Sequence, residues 1–418
     1  MDPSTVHRRT LRLLFVTQSI SGVGVAIGAS VGALLAAELA GTSASGLAQS
    51  SVVLGAALLA LPASIIVQRY GRRPCLAATY LVATIGSLLI VWAATRRSPA
   101  LLFVGFFLFG AATAANLQAR YAAVDLAPPL LRGRHLSLIV WATTLGAVVG
   151  PNLASVVGTA MEAYGVPTLA GPFVLSAALF SVAAIGLTVL MRPDAAILAR
   201  ETRASSDETT TGGENRGGLR AAFGMVASNA SARLGIVAMS VGHVVMVGVM
   251  AMTPVHIRSA GHDAPHTLRI VGIVISVHVA GMYAFSPVVG WCADRFGRRA
   301  VILTGIVALL AACALAGTAG HETAQLAAGL MVLGFGWSCT MVAGSTLLSE
   351  SVPAAMRASA QGLSDFVMGL AGATAGALSG VVVGAWNYPT LALMASLIAA
   401  LVAVFVARSV QPVRAREV

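Results

Sequence analysis

Lysine is absent from this sequence: all 26 basic residues among its 418 are arginines. A phosphate loop of the G-x-x-x-x-G-K-[ST] type needs lysine to reach the phosphates, and a Schiff base needs a lysine amine. Neither can form, so the chain is expected not to hydrolyse ATP, and any transport it performs is expected to run on gradients. Charge of either sign is scarce, at 10% of residues, against about 25% in a soluble globular domain. Cysteine is scarce too. Cys75, Cys292, Cys313 and Cys339 lie in or beside apolar runs and form no C-x-x-C pair. They read as small buried hydrophobes, not as a disulfide or metal framework.

What is present is apolar surface. Hydrophobic residues make up 57% of the chain, and the mean hydropathy is +0.86. That composition belongs to the membrane class. A net charge of +11 would suggest nucleic acid in a soluble protein. Here the arginines sit in short segments between apolar runs, which is the pattern that orients a membrane protein, so no nucleic-acid partner is expected. An arginine- and alanine-rich chain without lysine also suggests a GC-rich bacterial genome.

A span needs about 20 mostly apolar residues. Twelve candidates occur, near 12–38, 47–67, 75–94, 100–122, 136–158, 171–191, 233–257, 269–290, 300–318, 324–347, 358–384 and 389–408. Each is expected to be a helix, because backbone polar groups in lipid need partners within the segment. Alternating strands of the outer-membrane barrel type are missing. The apolar run after MDPSTVHRRTLR is far longer than a signal-peptide core of about 7–15 residues, so a retained span is expected. With a cytoplasmic N-terminus, twenty-one arginines fall inside and four outside: Arg96, Arg97, Arg258 and Arg269. That bias predicts a bacterial inner-membrane protein with both termini in the cytoplasm. The expected division is residues 1–191 as one six-helix bundle, 192–232 as a flexible cytoplasmic linker rich in Ser, Thr and Gly, and 233–418 as a second bundle.

The two halves repeat. RYGRR at Arg69–Arg73 recurs as RFGRR at Arg295–Arg299, DLAPPLLR at Asp125–Arg132 as ESVPAAMR at Glu350–Arg357, and GAVVGP at Gly146–Pro151 more weakly as GATAGA at Gly372–Ala377. A repeat of six-span halves is a mark of secondary transporters. At these residues the chain resembles the major facilitator superfamily over nearly its whole length. GWCADRFGRR (Gly290–Arg299) carries that superfamily's G-x-x-x-D-R-x-G-R-R loop in full. The resemblance implies an all-α membrane fold of twelve helices in two pseudo-symmetric bundles, acting as a carrier and not an enzyme. It also implies a conformational latch at Asp294, Arg295, Gly297, Arg298 and Arg299. The first-half copy keeps Gly71, Arg72 and Arg73, with Asp125 available to pair with Arg72 or Arg73, but has Ser64 for Gly and Gln68 for Asp. A weaker latch is expected there.

GAVVGP in span five, with Gly146, Gly150 and Pro151, resembles the proton-antiporter G-x-x-x-G-P signature, and equally fits close helix packing. The arginine of drug antiporters midway along span four is replaced by Phe106, and Arg120 lies lower. Arg120, Asp365 and Glu38 are candidates for a charge pair or a proton carrier.

Methionine gathers in one place. Met239, Met246, Met250 and Met252 are four of the fourteen in the chain. At about 100° per residue, Met239, His243, Met246 and Met250 share one face of span seven. Flexible core packing accounts for such a stripe. Span eight then adds His278 and Met282, again four apart, and ionisable groups inside a membrane are functional candidates by default. Thioether and imidazole are soft ligands suited to Cu(I). M-x-x-x-M in span seven with H-x-x-x-M in span eight resembles the superfamily's bacterial copper-importing branch. That resemblance implies copper as cargo at Met246, Met250, His278 and Met282, and relatives in the branch carry other small molecules, including a vitamin. The competing expectation is a proton-coupled carrier, for uptake or efflux, of a small organic molecule or drug; a non-transporting sensor is a third. No resident cofactor is expected, and the partners are a small-molecule or metal-ion substrate and the bilayer, with the chain a monomer. His256, His262, Asp263 and His266 in the loop after span seven could collect metal or simply be solvated.

Overall fold

The computed structural model describes residues 3–123, 125–126, 132–198, 219–353 and 356–409. Among them regular structure is helical throughout, with no strand. We number the helices α1 (Pro3–Ala40), α2 (Thr42–Tyr70), α3 (Arg72–Thr95), α4 (Pro99–Phe109), α5 (Ala111–Ala122), α6 (Arg132–Glu162), α7 (Gly171–Leu190), α8 (Leu219–Ser228), α9 (Ala230–Arg258), α10 (Ala264–Tyr283), α11 (Ser286–Phe296), α12 (Arg298–Thr318), α13 (Thr323–Ser351), α14 (Arg357–Ala385) and α15 (Tyr388–Ser409). Eleven segments among the described residues are helical, long and apolar enough to cross a membrane, and Tyr388–Val404 is a shorter apolar helix. Two of the eleven are interrupted helices, α4 with α5 and α10 with α11. Eleven of the twelve expected spans are thus of crossing length, the twelfth is the shorter apolar helix, and all are in the expected helical state.

The chain divides into two compact units. One comprises Met1–Gly212, Ala251–Ser276 and Gly376–Ala385, and the other Gly213–Met250, Val277–Ala375 and Trp386–Val418. In the first, α1 is built for close approach. A side chain at Gly24, Gly28 or Gly32 would meet the rings of Phe180, Phe109 and Phe106 at 2.7, 2.6 and 3.2 Å. These glycines, one turn apart, seat an aromatic cluster in which Phe106 and Phe109 each meet Phe173 edge-on. Phe106, where a drug antiporter would place arginine, is therefore a fully buried core residue. The other side of α1 meets α6: a Cβ on Gly146 would lie 2.4 Å from the Val23 nitrogen, and one on Gly150 2.6 Å from the Val23 carbonyl oxygen. Pro151 lies within α6 without ending it.

In the second unit Val226, Ala232, Ile236, Met239, Leu348, Val352, Ala360 and Leu363 form one buried cluster. Val226 belongs to α8, inside the stretch read as a flexible linker. Val226 is buried in that cluster with Met225 packed against it, and the segment folds as a helix. Residues 199–218, about half of that linker, lie outside the described residues, as do 127–131 and 354–355 of the repeated acid–Pro–Arg segment.

Candidate functional site

The H-x-x-x-M pair sits where α10 crosses α13 at backbone contact. A Cβ on Gly334 would lie 2.4 Å from the His278 carbonyl oxygen and 2.8 Å from the Met282 nitrogen, and one on Gly281 2.3 Å from the Met331 carbonyl oxygen. Only glycine permits that crossing, and it fixes where His278 points. The ring is wholly buried. Its Nδ1 lies 2.8 Å from the Leu330 carbonyl oxygen. A carbonyl only accepts, so Nδ1 carries the proton and the lone pair of the neutral ring is on Nε2. That nitrogen is buried with no hydrogen-bond partner. Metal-binding histidines are held this way, one ring N–H anchored to a carbonyl and the other nitrogen free to ligate. Met282, one turn further on, is 9% exposed.

On α9 the stripe divides by environment. Met239 is packed, with its sulfur 3.9 Å from the Ser364 hydroxyl and its side chain against Gly344. His243 accepts a hydrogen bond at Nδ1 from Trp337 Nε1, at 3.3 Å. Its ring rests on Gly372, where a Cβ would come within 2.6 Å. The tautomer is thus opposite to that of His278, and the His243 lone pair is already used. Met246 is buried and Met250 half-buried. Trp337 also meets Tyr283 edge-on, with ring centroids 6.0 Å apart, so one indole touches side chains of both α9 and α10. Of the outer histidines, His262 and His266 are exposed and lie side by side, 4.5 Å between ring centroids. Among the described residues no group of three or more His, Cys, Asp or Glu side chains could hold a metal.

The repeated loops fold alike. Gly71 and Gly297 each turn the chain with φ of 93° and 89°, backbone that side-chain-bearing residues rarely adopt. Just after each turn an arginine reaches the matching acid. Arg72 contacts Asp125 through Nε at 2.9 Å and a terminal nitrogen at 3.2 Å, and also donates to Gln118 at 2.8 Å. Arg298 lies 2.8 Å from Glu350 and 2.9 Å from Asp294. Asp294 thus pairs with the arginine four residues along the chain. Arg295 sits over the Trp291 ring, and Arg299 is within 3.4 Å of Ser231.

One acid escaped the reading of the sequence. Asp194 accepts from the Arg73 backbone N–H at 2.7 Å, at the start of α3. Its other oxygen accepts from Ala196 N–H at 2.9 Å. The negative charge missing at Gln68 is therefore supplied to this helix N-terminus from a segment 121 residues away, where the dipole favours it. Only the lone acid of RPD (Arg192–Asp194), beside a turn, hinted at it. Glu38 pairs with Arg258 at 3.1 Å. Asp365 is exposed on α14.

The sequence pattern of the Major Facilitator Superfamily matches residues 13–268 and 264–417. An uncharacterized MFS-type transporter of Bacillus subtilis (strain 168), YdeG, is 39% identical over 399 residues, 95% of this chain and 91% of its own. The riboflavin transporter RfnT of Brucella anthropi is 27% identical over 374 residues, 88% of this chain and 87% of its own. Among solved structures, the nucleoside transporter NupG superposes with a TM-score of 0.75 at 17% identity, covering 98% of this chain and 99% of NupG; at that identity the likeness concerns the fold.

Proposed function

We propose that this chain, which belongs to the Major Facilitator Superfamily and is a multi-pass membrane transporter of a small substrate, imports copper. The observation that carries the cargo is the His278 ring, with Nδ1–H anchored on Leu330 and Nε2 buried and unpartnered. Met282 on the same helix face, with Met246 and Met250 on α9, would complete a soft, uncharged ligand set for Cu(I). Such a set leaves no buried thiolate to trap the ion. His243 takes a supporting place, since Trp337 occupies its lone pair. Transport would follow alternating access about the ligand set, in the cytoplasmic membrane of a bacterium with both termini inside, as the arginine distribution indicates. Any coupled proton would fall to Asp365 or Glu38.

A second reading has its own support. A relative matched over 88% of this chain is named a riboflavin transporter, so a small organic molecule is the competing cargo. One experiment separates them. Cells with and without the protein are assayed for copper content and for riboflavin uptake, alongside a Met246→Leu/His278→Ala double variant. The copper reading expects protein-dependent copper accumulation that the double variant loses, by at least the roughly 10–100-fold in affinity that even an outer-shell metal partner contributes. Unchanged copper content in that variant overturns it, and protein-dependent riboflavin uptake then carries the second reading.

A further inference from the structure

We infer that the first unit holds a hydrogen-bonding subsite for the cyclic amide or imide edge of an organic substrate, formed by Gln18 and Arg120. This rests on the second reading above, and names the chemistry such a substrate would present.

Four polar side chains of α1, α3 and α5 meet inside the first unit. Gln18 Nε2 donates to the Tyr80 hydroxyl at 2.8 Å. That hydroxyl donates to Asn116 Oδ1 at 2.8 Å, and the Ser21 hydroxyl donates to the same oxygen at 3.0 Å. Gln18, Ser21 and Tyr80 are 1%, 0% and 0% exposed. Each of these bonds pairs a donor with an acceptor, yet the acceptor Gln18 Oε1 is buried with no donor. Turning the amide over moves the vacancy to Nε2 without filling it. A buried amide group left unsatisfied costs about 1–3 kcal/mol, and native proteins keep few of them.

The second observation is independent. Arg120 Nε is also buried without a partner, and Asp125, the acid nearest in sequence, is engaged by Arg72. Spans one and four run in opposite directions. Stepping from Ser21 to Gln18 on α1 and from Asn116 to Arg120 on α5 therefore moves the same way, by about 4.5 and 6 Å at 1.5 Å per residue. The two unsatisfied groups thus lie at one level, just beyond the Ser21–Asn116 hydrogen bond. One is a neutral acceptor and the other a charged donor.

That pairing selects its ligand. A metal cation is opposed by the guanidinium. A lone carboxylate suits Arg120 but meets the lone pairs of Gln18. A C=O beside an N–H answers both, with the carbonyl on Arg120 and the N–H on Gln18. The ring system of riboflavin has such an edge, an imide N–H between two carbonyls, and is neutral, so burying it costs less than burying an ion.

The test titrates riboflavin, followed by its fluorescence anisotropy, into full-length protein in nanodiscs. A parallel titration uses 3-methylriboflavin, in which the imide N–H is gone. Gln18→Ala and Arg120→Gln are titrated with riboflavin. We expect the wild type to bind riboflavin, and methylation and each substitution to weaken binding at least about tenfold, as for loss of a hydrogen bond to a charged or buried partner. Riboflavin binding that methylation and both substitutions leave unchanged overturns the subsite and leaves the organic-cargo reading standing. No riboflavin binding by the wild type overturns the reading and the subsite together. The methylated ligand probes the contact on unaltered protein, so a variant that fails to fold does not leave the question open.

Discussion

His243 and His278 show what decides a residue's chemistry. Both are histidines on apolar helices, each four residues from another member of the methionine and histidine pattern. One lends its lone pair to an indole; the other gives its proton to a carbonyl and keeps its lone pair free. Only the partner differs, and the partner comes from a distant helix. Asp194 makes the same point for structure. Two backbone N–H groups depend on it. Asp194→Ala should lower stability by about 0.5–2 kcal/mol, the usual cost of losing a helix N-terminal acceptor, read as a lower thermal unfolding midpoint of purified protein. Asp194→Asn should cost less, since an amide oxygen still accepts. Equal losses in the two variants would mean that the charge, not the hydrogen bond, is what matters.

Helix α1 is built around its glycines. Its glycines do not mark flexibility, since the helix runs unbroken from Pro3 to Ala40. Gly24, Gly28 and Gly32 seat three phenylalanine rings. Ridges of α6 reach the same helix at Gly22, where a Cβ would lie 2.8 Å from the Thr143 carbonyl oxygen. In a membrane, helices associate through such close packing rather than through exclusion of water. Gly28→Val would force its methyls into the Phe109 ring and should destabilise the protein by about 1–3 kcal/mol, as overpacking does. Gly186, with nothing within 4 Å of a built Cβ, is the matched control, and Gly186→Val should leave the unfolding midpoint nearly unchanged. Comparable losses at both positions would show that backbone propensity, not the ring seat, is being measured.

For the whole molecule, the internal repeat sets two copies of one device in different surroundings. The Arg72 and Asp125 side chains are 13% and 17% exposed, whereas Arg298 and Glu350 are 21% and 51% exposed. Solvent screens the second pair more, and exposed pairs couple by only about 0.2–1 kcal/mol. Double-mutant cycles with alanine on each pair, read as unfolding free energy, should give the larger coupling for Arg72–Asp125, of order 1–3 kcal/mol. This reverses what the two loops suggest when compared as strings, where the second copy is the complete one. A larger coupling for Arg298–Glu350 would restore that ranking.

Composition and period alone made this legible as a helical multi-span membrane protein with a repeated loop, and the loop's resemblance to a known superfamily implied the carrier. Apolar runs of spanning length must be helical in lipid, and a repeat is visible without coordinates. The Gly71 and Gly297 turns were legible for the same reason, since the left-handed backbone they adopt favours glycine. Tertiary structure decided which members of each pattern act together. It put Phe106 into an aromatic core, Asp194 at the start of α3, Met239 in packing, and left unsatisfied atoms on His278, Gln18 and Arg120. None of these could be read from spacing. A hydrogen bond is a fact about two groups, and here most second groups lie dozens to more than a hundred residues away.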